Sequence, residues 1–231
     1  METWGSYALS DLLMFSPASY LRRYQLANTQ LWPGQLLLLA LAAWLGWSVR
    51  RPRPRAGLLA LPLLAAVWTF VAWWFLYRQY AQINLAAGWF ALAFMLQALL
   101  LMVLGLSKRH RHSVFAQGPV PNWHPGMLLF GYALLIHPLA GLAAGRPWQG
   151  IELFGVAPDA TALATLGLLL GRYRAASWWL LPIPLAWCLV SALTYLAMGQ
   201  PHGVAPLLLA ITALAATLML HRHGRMGAYL R

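Results

Sequence analysis

The sequence predicts an all-α, polytopic membrane helix bundle, and three observations carry that prediction. Of 231 residues, 61% are hydrophobic and only 9% charged, with a mean hydropathy of +0.62. Seven apolar stretches, at about 32–49, 57–77, 85–106, 127–144, 153–170, 178–198 and 204–220, each approach the roughly 18 residues that a helix needs to cross a hydrocarbon layer about 30 Å thick. The 16 Lys and Arg residues fall unevenly between the loops that alternate along these stretches.

The composition excludes a soluble globular domain, whose surface needs about a quarter of its residues charged. The loops run from about five to about twenty residues, which leaves no room for a second unit, so residues 1–231 read as one membrane-embedded domain. The first 31 residues lack a basic segment followed by an apolar core and a small-residue cleavage site, so no removable signal peptide is expected. The single cysteine, Cys188, excludes an intrachain disulfide and a cysteine-based metal cage.

A net charge of +12 suggests nucleic acid in a soluble protein, but here its distribution points to topology. Arg50, Arg51, Arg53, Arg55, Lys108, Arg109, Arg111, Arg172, Arg174, Arg222, Arg225 and Arg231 follow the odd-numbered segments, which puts twelve of the sixteen basic residues on one side. The positive-inside rule makes that side cytoplasmic, with the N-terminus outside and the C-terminus inside. If residues 153–170 looped back, the same count would give seven basic residues inside and nine outside, so segment five is expected to cross. The basic loops suit anionic lipid headgroups, and no nucleic-acid partner is expected.

Before segment one, residues 9–31 read as an outer interfacial segment. Ser16-Pro17 is an N-cap followed by a proline at the first helical position, Tyr20 and Tyr24 share a stripe, and the chain turns into the membrane at Trp32-Pro33. Most tryptophans lie near segment ends as interface anchors, whereas Trp68 lies deeper, between helices. The loop histidines His110, His112 and His124 and the tail histidines His221 and His223 alternate with Arg and Lys or neighbour them, which favours solvated basic segments over a cation site.

Segment five carries the main anomaly. A helix from Asp159 to Gly171 rises only about 18 Å, so ELFGVAP must enter in a partly non-helical form broken at Gly155 and Pro158. A short span interrupted by Gly and Pro is the best sequence pointer to a binding site in transporter-like folds. His137 in segment four and Asp159 are expected at similar depth, with Gln35, Asn84, Thr161 and Tyr195 in the same outer half and Gln97 deeper. Gln35, Asn84, His137, Asp159, Thr161 and Tyr195 are the candidate ligand-binding residues. Each also has a structural reading. Asp159 caps its helix through backbone N–H groups, His137 satisfies a backbone group near Pro138, and Gln35 and Thr161 join helices.

A His137–Asp159 contact would favour imidazolium and allow proton linkage. Bis-histidine haem needs two facing histidines, and His137 is the only one well inside a segment. A metal drawing on His137, Glu152, Asp159 and His202 matches no strong spacing motif, and no nucleophile elbow, phosphate loop or HExxH occurs. No catalytic residue, metal ligand or cofactor is therefore assigned. The leading reading is binding or permeation of a small molecule or ion through an outward-facing pocket. The alternatives are a non-catalytic accessory subunit packed against a membrane partner, or a homo-oligomer, through stripes such as LAITALAATL, and thirdly a membrane-embedded metal protein or enzyme.

The fragments YQLANTQLWPGQ, FLYRQYAQINLAAGWFALAFMLQ, GYALLIHPLAG and FGVAPDATALATLGLLL resemble, end to end, an uncharacterised family of multi-pass bacterial membrane proteins catalogued as a domain of unknown function and sometimes labelled permease-like. Tyr24, Asn28, Trp32, Pro33, Gln35, Ile83, Asn84, Ala86, Ala87, Pro138, Leu139, Pro158 and Thr161 stand at matching or near-matching positions of its pattern. His137 replaces an expected Tyr, and Asp159-Ala160 an expected Cys-Pro. The resemblance thus implies a fold and a compartment, makes His137 and Asp159 a paired substitution of this member, and brings no activity.

Overall fold

The computed structural model describes residues 13–50, 54–107, 123–172 and 175–229, all of them helical or in turns and loops, with no strand among them. Lys108, Arg109, His110, Arg111 and His112 lie outside the described residues, as do the side chains of His221 and His223. Helix α1 (Pro17–Leu31) is capped as its sequence predicts, with the Ser16 side chain accepting the Ser19 N–H, and its Tyr20 and Tyr24 are buried. It turns by 94° into α2 (Gln35–Arg50) through Trp32-Pro33, whose peptide bond is cis. Helix α3 (Pro54–Val71) continues as a π-helical stretch over Ala72–Tyr77 and packs against α4 (Ala87–Leu106).

The next transmembrane-length element is composite. Helix α5 (Pro125–Gly131) passes into a π-helical stretch, Tyr132–Ile136, and resumes as α6 (His137–Ala143). Pro138 has no N–H to give the carbonyl of Leu134, and the widened turns immediately before it absorb that missing bond. Helix α7 (Pro158–Arg172) follows a non-helical entry, then α8 (Pro182–Ala197) and α9 (Ala205–Tyr229).

Every residue of α7 from Pro158 to Gly171 is buried, and α2, α3, α5, α8 and α9 all pack on it. This short helix is the axis of the bundle. Small residues let a neighbour approach it closely, for a Cβ on Gly126 would fall 2.4 Å from the Gly171 nitrogen, and one on Gly167 2.6 Å from the Phe130 nitrogen. Buried Trp68 reaches α7 as well, donating to the Thr165 hydroxyl at 2.8 Å and packing 4.3 Å from the Phe94 ring.

Among the described residues five helices are long and apolar enough to cross a membrane, Leu59–Gln82, Ala87–Leu106, Pro125–Ala143, Trp178–Ala197 and Pro201–Leu220, or six if the bent α1–α2 pair counts as one. The difference from the seven expected lies in segments one and five. The α2 helix meets the length only together with α1, and the fifth segment holds a short helix, Pro158–Gly171. In segment one the exposed bend at Trp32-Pro33 takes up the start of the stretch, and in segment five the start is a non-helical entry whose residues 154–157 are buried.

Candidate functional site

The entry to α7 is built locally as its sequence predicts. Gly155 adopts φ +78°, a left-handed conformation that costs other L-residues about 1–2 kcal/mol, and Asp159 lies in the first helical turn. The residue that ties this entry to the helix is Thr161. The Thr161 hydroxyl accepts the Gly155 N–H at 2.9 Å and donates to the Ala157 carbonyl at 2.8 Å. Asp159 makes no backbone cap; its Oδ1 accepts the indole N–H of Trp187 at 2.6 Å, the Ser191 hydroxyl also lies within reach of the carboxylate, and the buried Oδ2 has no partner of good hydrogen-bond geometry among the described residues.

The hydrogen-bond partner of His137 is Glu152 rather than Asp159. The imidazole Nε2 meets Glu152 Oε2 at 2.9 Å, and since an ionised carboxylate only accepts, Nε2–H is the donor. The other oxygen of Glu152, Oε1, accepts from the Arg146 guanidinium and from the Tyr195 hydroxyl at 2.5 Å, and Arg146 also donates to the Tyr195 oxygen at 3.0 Å. Arg146 lies 5.3 Å from the Tyr195 ring centroid, a cation–π distance. Asp159 completes the group, because ligand atoms of His137, Glu152 and Asp159 all lie within 4.8 Å of one another.

Several elements converge to make this arrangement. Trp187, Ser191 and Tyr195 stand four residues apart on α8, one face of a helix, and that face presents the indole and the phenol to the two acids. Trp187 is held by edge-on packing against Phe90 at 5.5 Å and Phe94 at 5.2 Å. Gly203 lies so close to Tyr195 that a Cβ there would fall 2.2 Å from it, so the turn Pro201–Val204 seals one side and brings His202 to 6.2 Å from the Tyr195 ring. The segment before Glu152 is pinned from α1, where Asn28 donates to the carbonyls of Gln149 and Ile151, both at 2.8 Å.

Glu152 and Arg146 lie in the loop between α6 and α7. Burial alone would push the Glu152 carboxyl upward. Hydrogen bonding and charge from His137, the charge of Arg146 and the Tyr195 hydroxyl outweigh it and hold the group well below the usual carboxylate range. Burial works against the Arg146 cation, but Glu152 beside it keeps the guanidinium firmly protonated. The loop therefore presents a fixed anion and a fixed cation.

Of the residues singled out in the sequence, His137, Asp159 and Tyr195 come together. Gln35 acts at one remove, donating to the Asn28 carbonyl at 2.5 Å, and Thr161 ties off the entry to α7. Asn84 lies in a turn, accepting the Ala86 N–H at 2.9 Å. Gln97, expected deep, is buried and donates to the Leu180 carbonyl at 3.0 Å. His124 caps α5 by accepting the Gly126 N–H at 3.2 Å. Sequence reasoning left out of the site Arg146 and Trp187, and weighed Glu152 only as a metal ligand. The signal for Arg146 was present, since it is the only Lys or Arg between Arg111 and Arg172 and stands six residues before one of only four acids.

A cavity of about 40 Å³ opens beside the cluster, lined in part by Tyr132, His137, Arg146, Glu152, Tyr195 and His202. Liquid water takes about 30 Å³ per molecule, so there is room for one water or a small ion and not for a substrate of drug size, which needs about 300 Å³ or more. Larger grooves of about 700 and 550 Å³ run along α3 and α4 past Thr69, Trp73 and Met95, with no charged residue among their lining, as suits a lipid-facing surface.

No curated protein and no solved structure matches this chain. Residues 19–228 match DUF6064, a family of unknown function, and the chain belongs to that family.

Proposed function

We propose that this DUF6064 chain is an integral membrane protein of the bacterial inner membrane that binds a small ion or solute, and lets it pass, at the pocket lined by His137, Arg146, Glu152 and Tyr195, with Asp159 within reach of His137 and Glu152. One observation carries the reading. The chain has only four acidic residues, and two of them, Glu152 at 3% and Asp159 at 2% exposure, are buried in one cluster beside a cavity. Removing ionised groups from water costs several kcal/mol each, and well-packed apolar replacements are often neutral or stabilising, so stability gives little reason to keep them. The cavity size favours a small ion over a large solute.

In this proposal the chain crosses seven times, N-terminus outside and C-terminus inside, and Pro158–Gly171 with its broken entry completes the fifth crossing. The asymmetry of the basic loops and the irregular backbone buried within the protein support it. The pocket then faces outward, because the loops that bring Arg146, Glu152 and His202 lie on the side with few basic residues.

Two measurements test the proposal. On a Cys188→Ser background, cysteine at exposed Ala140 or His202 is expected to react with an impermeant thiol reagent added outside intact cells, and cysteine at Lys108 only after permeabilisation. The reverse pattern would remove the outward orientation. In reconstituted liposomes on a solid-supported membrane, concentration jumps of monovalent and divalent ions are expected to give currents that Glu152→Gln abolishes, and currents that survive that change would remove the pocket from the path.

A further inference from the structure

We infer that His137, Glu152 and Asp159 form a binding site for a divalent transition-metal ion such as zinc or manganese, with the cavity bounded by Tyr132 and His202 supplying its exchangeable water position. The inference rests on reading the cluster as an ion site and names the ion class. The donors are one imidazole nitrogen and two carboxylates, all within 4.8 Å of one another. One nitrogen among few donors suits zinc or the manganese–iron group, and falls short of the six to eight oxygens that calcium takes.

The hydrogen bonds divide each carboxylate in two. Glu152 Oε1 is tied by Arg146 and Tyr195, while Oε2 accepts only the His137 Nε2–H, and a cation bound between them takes the place of that proton, which is released to water. Asp159 Oδ1 is tied by Trp187, which leaves Oδ2 buried and, among the described residues, without a hydrogen bond of good geometry, with the Ser191 hydroxyl nearby. Such outer partners are what orients metal-ligating carboxylates. An unpaired, buried carboxylate oxygen is costly, and a cation among the three side chains removes that cost. Arg146 sets the strength. Its fixed charge beside Glu152 opposes the cation, so binding is weak enough to release an ion, as a permeation site requires.

The purified full chain in lipid nanodiscs, stripped with chelator, is titrated with Co²⁺ as a spectroscopic probe. One equivalent is expected to saturate visible absorption bands and to be displaced by Zn²⁺ but not by Ca²⁺. His137→Gln and Asp159→Asn are each expected to weaken binding at least about tenfold, Arg146→Gln to tighten it, and His124→Asn, at the far end of the same segment, to leave it unchanged. If the variants do not fold, zinc-edge X-ray absorption of the wild type decides. A nitrogen–oxygen shell near ~2.0 Å with one imidazole supports the site, and several imidazoles place the ion on other histidines and overturn it. Absence of saturable Co²⁺ binding also overturns it. Ion currents lost in Glu152→Gln without any metal binding leave the pocket reading standing, whereas loss of both results removes both.

Discussion

Trp187 donates its indole N–H to Asp159 Oδ1 over 2.6 Å, with both side chains buried. The acid in the middle of an apolar stretch is thus anchored from α8 rather than by its own helix. Trp187→Phe keeps the aromatic packing and removes the donor to Oδ1, which leaves the Ser191 hydroxyl as the remaining polar neighbour of the carboxylate. A loss of about 1–3 kcal/mol is expected, read as a lower unfolding temperature in detergent, while Asp159→Asn, which retains an acceptor, is expected to cost less. Equal unfolding temperatures for Trp187→Phe and wild type would show that the bond anchors nothing.

The Arg146–Glu152 pair is expected to behave as a buried ion pair, with side chains only 8% and 3% exposed. Removing one partner strands the other charge, so Arg146→Met or Glu152→Met alone should cost about 3–5 kcal/mol. The double variant is expected to be more stable than either single one, and a simple sum of the two losses in a double-mutant cycle would contradict the pairing.

Close backbone contact between α5 and α7 makes glycine a requirement at two positions. Gly126→Ala and Gly167→Ala each drive a Cβ into backbone atoms at 2.7 Å or less, whereas Gly131→Ala meets nothing within 4 Å. The first two are expected to destabilise by about 1–3 kcal/mol or to abolish expression of folded protein, and the third to be close to neutral.

Asn28 holds the segment that carries Glu152, although it lies more than a hundred residues away in sequence. Asn28→Ala leaves the carbonyls of Gln149 and Ile151 without that donor. The expected result is faster proteolysis within residues 144–157 and weaker ion binding, with thermal stability falling by about 1–3 kcal/mol. Unchanged protease sensitivity would separate Asn28 from the site.

Much of the scaffold was legible because its causes are local. The Ser16 cap, the turn at Trp32-Pro33, the break at Gly155 and Pro158 and the deep placement of Trp68 each follow from a side chain acting within a few residues or from an apolar run. The site was legible only in part. His137, Asp159 and Tyr195 stand out as polar groups in apolar stretches and do converge. Asn84 and Thr161 stand out for the same reason, yet they spend their hydrogen bonds on turns, and a polar residue's partner is not encoded in its hydropathy.

By itself, then, the sequence determined the all-helical, apolar character of this chain and the interruption before Asp159, since backbone hydrogen bonding, proline and glycine geometry and hydropathy act over a turn or two. Only the tertiary structure decided that His137 meets Glu152, that Asp159 meets Trp187, and that the short helix α7 is the buried axis of the bundle. Those outcomes depend on where the loop from Ala144 to Ala157 runs. That path is set by contacts far apart in sequence, with Asn28 on one side and Tyr195 on the other.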